Sequence, residues 1–367
     1  MAKTAYIFFE NLERNWHRFP NYLYSCFDKE DFFFIYNIPS KKSNKSQILN
    51  SFKYSGNIGD ILTHIQNYSE VKVILMSLRP IDLIFFKHLK ERSRANVTGI
   101  KIQHGIYSDK LERASIFDFI FSTRDRLITY IKTIYITDIF TTKEKILLLI
   151  AIFKIYVKNK IKFSDSESIN NLLDLPKNVF VFDNTWIKYF NTNYYKDKQP
   201  NYTFIPPKDL SLIKSGIIKK QSVVIIAQSL VEDGRYSKVN LRKELELILR
   251  YIPENLVIYL KRHPRSDNKL YQDLSRNLII TDNFIVADFI ISGYSSLMQT
   301  YLTIGCNVFC WKFVNHHNPD IFNEYCTIYG REKELTKFFN LPKNILKITE
   351  FSEMQIEKIY ADNIKAV

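Results

Sequence analysis

The chain has 367 residues, enough for two or three ordinary domains. At 46% hydrophobic and 15% aromatic it can build packed cores, which excludes wholesale disorder; with 9 Gly and 11 Pro it is neither collagen-like nor linker-dominated. Lys and Arg number 52 against 38 Asp and Glu, and the formal net charge of +14 favours anionic partners without choosing among polyanion, anionic substrate and membrane surface.

In chain order, residues 1–16 carry Glu10 within a short apolar run and no small-residue cleavage site, so they predict a first strand rather than a secretory signal. Ala5–Phe9, Val71–Met76, Val97–Gln103 and Ile116–Phe121 read as strands by length and by Ile, Val and Phe content. Ile81–Arg92 has helical apolar spacing between two of them. Leu127–Phe163 reads as long, helical and basic, and Val179–Phe182 as a late strand of the same region. Ile146–Val157 is the most apolar stretch, shorter than the roughly 18–20 residues that span a bilayer and interrupted by Lys154. It predicts a buried helix or, with Lys158, Lys160 and Lys162 following, an amphipathic helix lying on an anionic membrane face.

Asn191–Lys220 is polar, contains Pro200, Pro206 and Pro207, and shows no sustained period, which predicts a linker over 196–220. A second alternating series follows: Val223–Ala227, a helix over Leu241–Tyr251 capped by Asn240, Leu256–Leu260, Leu278–Thr281, Phe289–Ile291 and Val308–Trp311. Strands alternating with helices imply parallel sheets with crossovers. The expected fold is therefore α/β with two Rossmann-like domains, 1–195 and 221–348, facing across a cleft, and a helix over 349–367 packing back on the first. Four cysteines (Cys26, Cys306, Cys310, Cys326) make no disulfide framework, and the C-x3-C pair lacks further zinc ligands, so free buried thiols are expected.

Ligands of open parallel sheets bind past the carboxyl ends of strands. Four polar clusters fall there: Gln103-His104-Gly105; Glu232-Asp233-Gly234-Arg235; Lys261-Arg262-His263-Pro264-Arg265; and Ser292-Gly293-Tyr294-Ser295-Ser296. The serines at a helix start offer hydroxyls and free N–H groups to a phosphate, with the basic run at a neighbouring strand end to neutralise it. The plainer readings are an N-cap serine pair, a solvated basic turn, a D-G turn and a core histidine. No G-x-G-x-x-G or G-x-x-x-x-G-K is present, which leaves NAD and ATP unsupported. His316-His317 suggests a loop or cleft edge rather than a metal site. No D-x-D or metal-spaced cluster appears, so no metal or other cofactor is expected, and the dispersed basic residues do not predict nucleic-acid binding.

K-R-H-P followed by a strand ending in S-G-Y-S-S resembles the donor domain of GT-B glycosyltransferases that use cytidine-nucleotide donors, among them the bacterial sialyltransferases with their HP, Ser/Thr-Ser and D/E-D/E-G motifs. Glu232-Asp233-Gly234 matches the third. Gln103-His104-Gly105 departs from that family and is similar to the His-Gly element of CDP-glycerol polymerases, which share the donor-domain motifs. The resemblance covers about a third of the chain.

It implies an acceptor domain first and a donor domain second, with transfer of a sialic-, pseudaminic- or legionaminic-type sugar from its CMP form to a surface glycan or glycolipid. His263 would stabilise the leaving phosphate, with Lys261, Arg262, Pro264, Ser292, Gly293, Tyr294, Ser295 and Ser296 around it. The base stays open between His104 and Glu232, with Asp233 next in line. The alternatives are a CDP-polyol phosphotransferase and a non-catalytic polyanion- or membrane-binding protein. A cytoplasmic protein, peripheral on the bacterial inner membrane, is the expected setting.

Overall fold

The computed structural model describes residues 3–10, 13, 16, 19–36, 51–53, 58–78, 80–103, 141–143, 145–146, 149–150, 174–195, 198–212, 218–231, 236–263, 266–293, 295–314, 320–342 and 352–367. They form two compact units, one from the described residues of Met1–His104, Leu127–Pro206 and Glu353–Val367, the other from those of Pro207–Ser352. Expectations for Ile116–Phe121 and for most of Leu127–Phe163 lie outside the described residues.

In the first unit the chain runs β1 (Thr4–Phe9), α1 (Pro20–Tyr24), β2 (Phe32–Tyr36), β3 (Ser51–Lys53), α2 (Gly59–Ile65), β4 (Glu70–Leu75), α3 (Pro80–Arg92), β5 (Asn96–Ile102), β6 (Asn178–Val181), α4 (Asn184–Phe190) and β7 (Asn201–Phe204). The strands make one sheet in the order β3-β2-β1-β4-β5-β6-β7, parallel at every pairing. Strands buried on both faces must be apolar throughout, and β2 is buried at all five positions of FFFIY. Gly99 in β5 leaves room for the Phe86 ring of α3; a Cβ there would come within 2.6 Å of it.

The expected linker is a correction. Residues 201–204 form β7, an edge strand on β6, and Ile218–Ile226 is already a strand of the second sheet. An edge strand carries one exposed side, and the burial of β7 is accordingly slight, so its sequence reads as polar coil.

The second unit continues with β8 (Ile218–Ile226), α5 (Lys238–Tyr251), β9 (Val257–Lys261), β10 (Ile279–Thr281), β11 (Val286–Ser292), α6 (Leu297–Thr303), β12 (Val308–Trp311), β13 (Ile328–Gly330) and α7 (Glu332–Phe338). Its sheet runs β10-β9-β8-β11-β12-β13, again parallel throughout. The cap of α5 is Ser237, whose side chain accepts from Asn240 N; Asn240 itself is helical. Leu241, Leu245, Ile248 and Leu249 of α5 are buried at helical spacing against Val223, Ile225, Leu260 and Trp311.

Among these apolar groups sits a carboxylate. Glu244 is 6% exposed and accepts from Trp311 Nε1 (2.8 Å), Arg331 Nη1 (3.1 Å) and Val314 N (3.3 Å). Arg331 also donates to the Lys312 carbonyl (2.7 Å) and lies over the Trp311 ring, 4.9 Å from its centroid. Tyr236 Oη donates to the Val314 carbonyl at 2.8 Å, and burial first, then the Glu244 charge, pushes its pKa up to about 12. The network joins α5, the end of β12 and the start of α7.

The final helix, α8 (Glu353–Ala366), belongs to the first unit. It buries Ile356, Tyr360, Ala361 and Ile364, with Tyr360 edge-on to Phe19 at 5.2 Å and its hydroxyl donating to the Pro206 carbonyl at 2.8 Å. Lys72 of β4, buried, donates to the Lys365 carbonyl at 2.6 Å, and Tyr22 Oη donates to the Glu353 carbonyl at 3.3 Å.

Removing one partner of a buried ion pair leaves the other charge uncompensated, at about 3–5 kcal/mol. Glu244→Ala is expected to cost toward the lower end of that range, because Arg331 keeps Glu332 as a second counter-ion at 3.2 Å, and Glu244→Leu less, because Leu refills the volume. Guanidinium unfolding of both variants beside Glu244→Gln checks the order.

Candidate functional site

The order of the second sheet fixes where a ligand would go. The chain moves outward from β8 to β9 and β10, then returns to β8's other side for β11, β12 and β13. Loops leaving the carboxyl ends of β8 and β11 therefore part in opposite directions and open a crevice at this switch point. Two of the four polar clusters lie around it: Lys261-Arg262-His263 after β9, and Ser292-Gly293 with Ser295-Ser296 after β11. A hollow of about 480 Å³ lined by Leu256, Val257, Ser275, Arg276 and Ile279 sits at the amino ends of β9 and β10, the wrong edge for such a site.

The two clusters are not on neighbouring strands. β8 lies between β9 and β11, so they stand about two strand spacings apart, about 9–10 Å. Gln228 and Ser229, two and three residues beyond the end of β8, belong to the strand between, and sequence reading passed over both. Gln228 packs against Gly293, where an added Cβ would meet its Oε1 at 3.0 Å and overlap the Phe313 ring. Beneath this contact is a cavity of about 30 Å³ lined by Ile226, Gln228, Leu245, Ser292, Gly293 and Trp311. It has room for a water or two and not for a nucleotide.

Within the basic run the roles separate. Arg262 is a clamp: Nε and Nη2 hold both oxygens of Asp282 at 2.8 and 2.6 Å, and Nη1 holds Asn268 Oδ1 at 3.0 Å. Three of the five guanidinium N–H groups are thus engaged inside the fold, which leaves one on each Nη for the phosphate role expected of Arg262. Lys261 Nζ donates to the Asp282 carbonyl. Burial lowers the Lys261 pKa, opposed by the charges of Asp282 and Asp209. Asp209, in the short 3-10 helix Lys208–Leu212, is the acidic neighbour that the linker reading hid; burial raises its carboxyl, with Lys208 and Lys261 pulling the other way. His263 is half-buried, and its carbonyl accepts from Ser266 N at 2.9 Å.

The serines separate too. Ser295 Oγ accepts from Leu297 N at 3.3 Å, and its carbonyl accepts from Met298 N at 3.1 Å; Gln299 N reaches the Ser296 carbonyl at 3.2 Å. Three N–H groups expected to be free for a phosphate are thus engaged within the turn, and α6 is only seven residues long, which limits its dipole. The N-cap of α6 is Ser296, and the Ser295 hydroxyl instead closes a turn onto Leu297, the first helical residue. Ser296 makes no side-chain cap bond. Ser292, 1% exposed, has a hydroxyl with no partner among the described residues, and it faces the small cavity rather than solvent.

In the first unit, Gln103 follows β5 fully buried, its Oε1 accepting from Phe182 N at 2.9 Å. It secures the end of β6. His104, Glu232, Asp233, Pro264, Tyr294, His316 and His317 lie outside the described residues.

No protein-family model matches the chain, and no curated protein is similar to it in sequence. Solved structures are similar. The calicheamicin glycosyltransferase CalG4 matches with a TM-score of 0.51 at 10% identity, over 99% of this chain and 98% of that one. The fold is GT-B. Lesser likenesses, with TM-scores of 0.42 and 0.39, are to the wall teichoic acid polymerase TagF, at 14% identity over 99% of this chain and 83% of that one, and to UDP-GlcNAc 2-epimerase from Methanocaldococcus jannaschii, at 12% identity over both whole chains. At such identities the likeness concerns architecture, and any chemistry has to be argued from this chain's own residues.

Gly293→Ala tests the tightness of the switch-point turn. The methyl must displace Phe313 or Gln228, and overpacking of this kind costs about 1–3 kcal/mol. Its thermal unfolding midpoint is expected to fall, while Ser296→Ala should leave the midpoint near that of the parent.

Proposed function

We propose that the protein is an inverting glycosyltransferase that moves a nonulosonic acid from a CMP-activated donor to a surface-glycan acceptor. The support for this reading is that K-R-H-P, with His263, and S-G-Y-S-S, with Ser296, follow the carboxyl ends of β9 and β11 on either side of β8 in a GT-B sheet, and that both resemble motifs of cytidine-nucleotide enzymes. In this reading the CMP phosphate spans the gap over the end of β8. The imidazole of His263 donates a hydrogen bond or a proton to the departing phosphate, and the Ser296 hydroxyl binds another of its oxygens. Lys261 adds positive charge from its place beside Asp282. These groups neutralise the leaving group without a divalent cation.

The acceptor hydroxyl loses its proton to His104 or Glu232. His104 suits by the intrinsic pKa of imidazole, near 6.5, whereas a glutamate would need burial to raise its basicity. The same donor crevice serves a second reading, a CDP-polyol phosphotransferase, which the Gln103-His104-Gly105 element after β5 favours.

Thermal unfolding with CMP-sialic acid, CDP-glycerol or UDP-GlcNAc separates the readings. Stabilisation by the CMP-sugar alone is expected; stabilisation by CDP-glycerol alone supports the second, and by UDP-GlcNAc alone overturns both. His263→Ala should lower turnover about 10²–10⁴-fold, and Ser296→Ala should weaken CMP binding by about 1–3 kcal/mol in calorimetry. Parental turnover in His263→Ala would remove that residue from the mechanism. Of His104→Ala and Glu232→Gln, the variant that binds donor and fails to transfer identifies the base.

A membrane-bound acceptor is part of the proposal. No helix among the described residues is long and apolar enough to cross a membrane. Ile146, Leu149 and Ile150 are 52, 40 and 42% exposed at helical spacing, with Lys143 and Lys145 nearby. Sedimentation with anionic vesicles should be strong at low salt and fade as salt rises; equal sedimentation with neutral vesicles counts against it.

A further inference from the structure

Gly293, the glycine of S-G-Y-S-S, is set by space rather than by backbone conformation. Among the described glycines Gly305 has the left-handed φ, and Gly293 does not. What a side chain at 293 would meet is the Phe313 ring and, at 3.0 Å, the Oε1 of Gln228. Phe313 is buried, and its ring centroid lies 5.5 Å from that of Tyr236. The carbonyl of Gly293 is held as well, by the Cys310 thiol at 3.2 Å. On the other flank, Ala227 N donates to the Lys261 carbonyl at 2.9 Å and ties the end of β8 to that of β9. Gln228 is the next residue. It leaves a strand end fixed to Lys261 and lays its amide oxygen against the serine turn, so one half-buried side chain stands between the two motifs.

We infer, on the nucleotide reading proposed above, that Gln228 is a binding residue for the donor phosphate, which its side-chain amide contacts through Nε2. A carboxamide carries its acceptor and its donors on separate branches of one carbon. With Oε1 packed on Gly293, the branch bearing the two N–H bonds is the one turned away from the serine turn. The oxygens of an ionised phosphate only accept, so the donor branch is the half of the amide that suits them, and a hydrogen bond to a charged acceptor is the stronger kind. β9 and β11 each lie one strand spacing, about 4.8 Å, from β8. A phosphate over the end of β8 is therefore within reach of both flanks, His263 on one and Ser296 on the other. Gln228 is the side chain that the strand between them contributes.

Glutamate tests the contact because it keeps the shape of glutamine, and with it the oxygen against Gly293, while turning the donor branch into a charged acceptor. CMP affinity is measured by calorimetry on the full-length parent, Gln228→Met and Gln228→Glu, beside the unliganded thermal unfolding midpoint of each. Met removes the donor and adds no charge. The expected order of affinity is parent, then Met, then Glu, with Gln228→Glu at least about tenfold weaker than the parent and the three midpoints alike. Parental affinity in both variants overturns the contact. Glu binding as tightly as Met also counts against it, since a group beside the ribose or the base would not separate the two by charge. Affinity lost together with the midpoint assigns Gln228 to the packing of the turn and removes it as a ligand contact. UMP keeps this result apart from the fate of the cytidine reading. A parent that binds UMP and not CMP sinks that reading, and the order of the variants is then read with UMP; a parent that binds neither nucleotide sinks both.

Discussion

Strand β8 is paired on both sides, to β9 and to β11, and the chain leaves it first in one direction and later in the other. Right-handed crossovers make that change of direction carry helices to both faces of the sheet, and it parts the loops at the carboxyl edge. The crevice that results is a consequence of connectivity, available before any particular side chain is chosen. What the sequence then supplies is a set of short polar turns at that edge. Gln228 follows β8 itself, Lys261 to His263 stand on one flank, and the Ser292–Ser296 turn on the other.

The chain is strongly basic, yet its best-placed cations are occupied inside the fold. Arg262 fastens the end of β9 to the residue after β10 through a two-pronged grip on Asp282. Arg331 is drawn into the apolar side of the second unit by Glu244 and Trp311. Both use the planar fork of guanidinium, which a lysine could not reproduce. Composition alone therefore overstates how much positive charge the crevice offers to an anion.

Most strands were legible because parallel strands covered on both faces must be written in Ile, Val and Phe, as in β1, β4, β5, β8, β11 and β12. Their ends fell within about three residues of the expected positions, except that β8 begins at Ile218 rather than Val223, through four exposed residues. β2 carried the same signal in FFFIY and was passed over. β3, β7 and β13 carry little of it: each is short and at or near a sheet edge, where one side needs no apolar cover. The architecture followed from alternation, whereas the pairing order did not, because nothing in a strand's composition says which neighbour it takes. For that reason the basic run and the serine turn looked adjacent and proved to have β8 between them. The division of labour within each motif was hidden as well. Ser295 and Ser296 are identical letters, and only the hydrogen bond from Leu297 N, which Ser295 accepts, tells them apart. Asp209 was lost to the prolines around it.

The ownership of α8 bears on the order of events during synthesis. The first sheet is complete once β7 has emerged, but the surfaces around Phe19, Tyr22 and Lys72 that α8 covers stay open to water while all of residues 207–352 are being made. Domains tend to fold as their segments leave the ribosome, so the second unit, whose last described residue is Ser352, has every described segment it needs before the first does. Until Ile356, Tyr360 and Ile364 arrive, the apolar surface around Phe19 in the first unit is uncovered, and any translational pause within the second unit prolongs its exposure to chaperones and to aggregation.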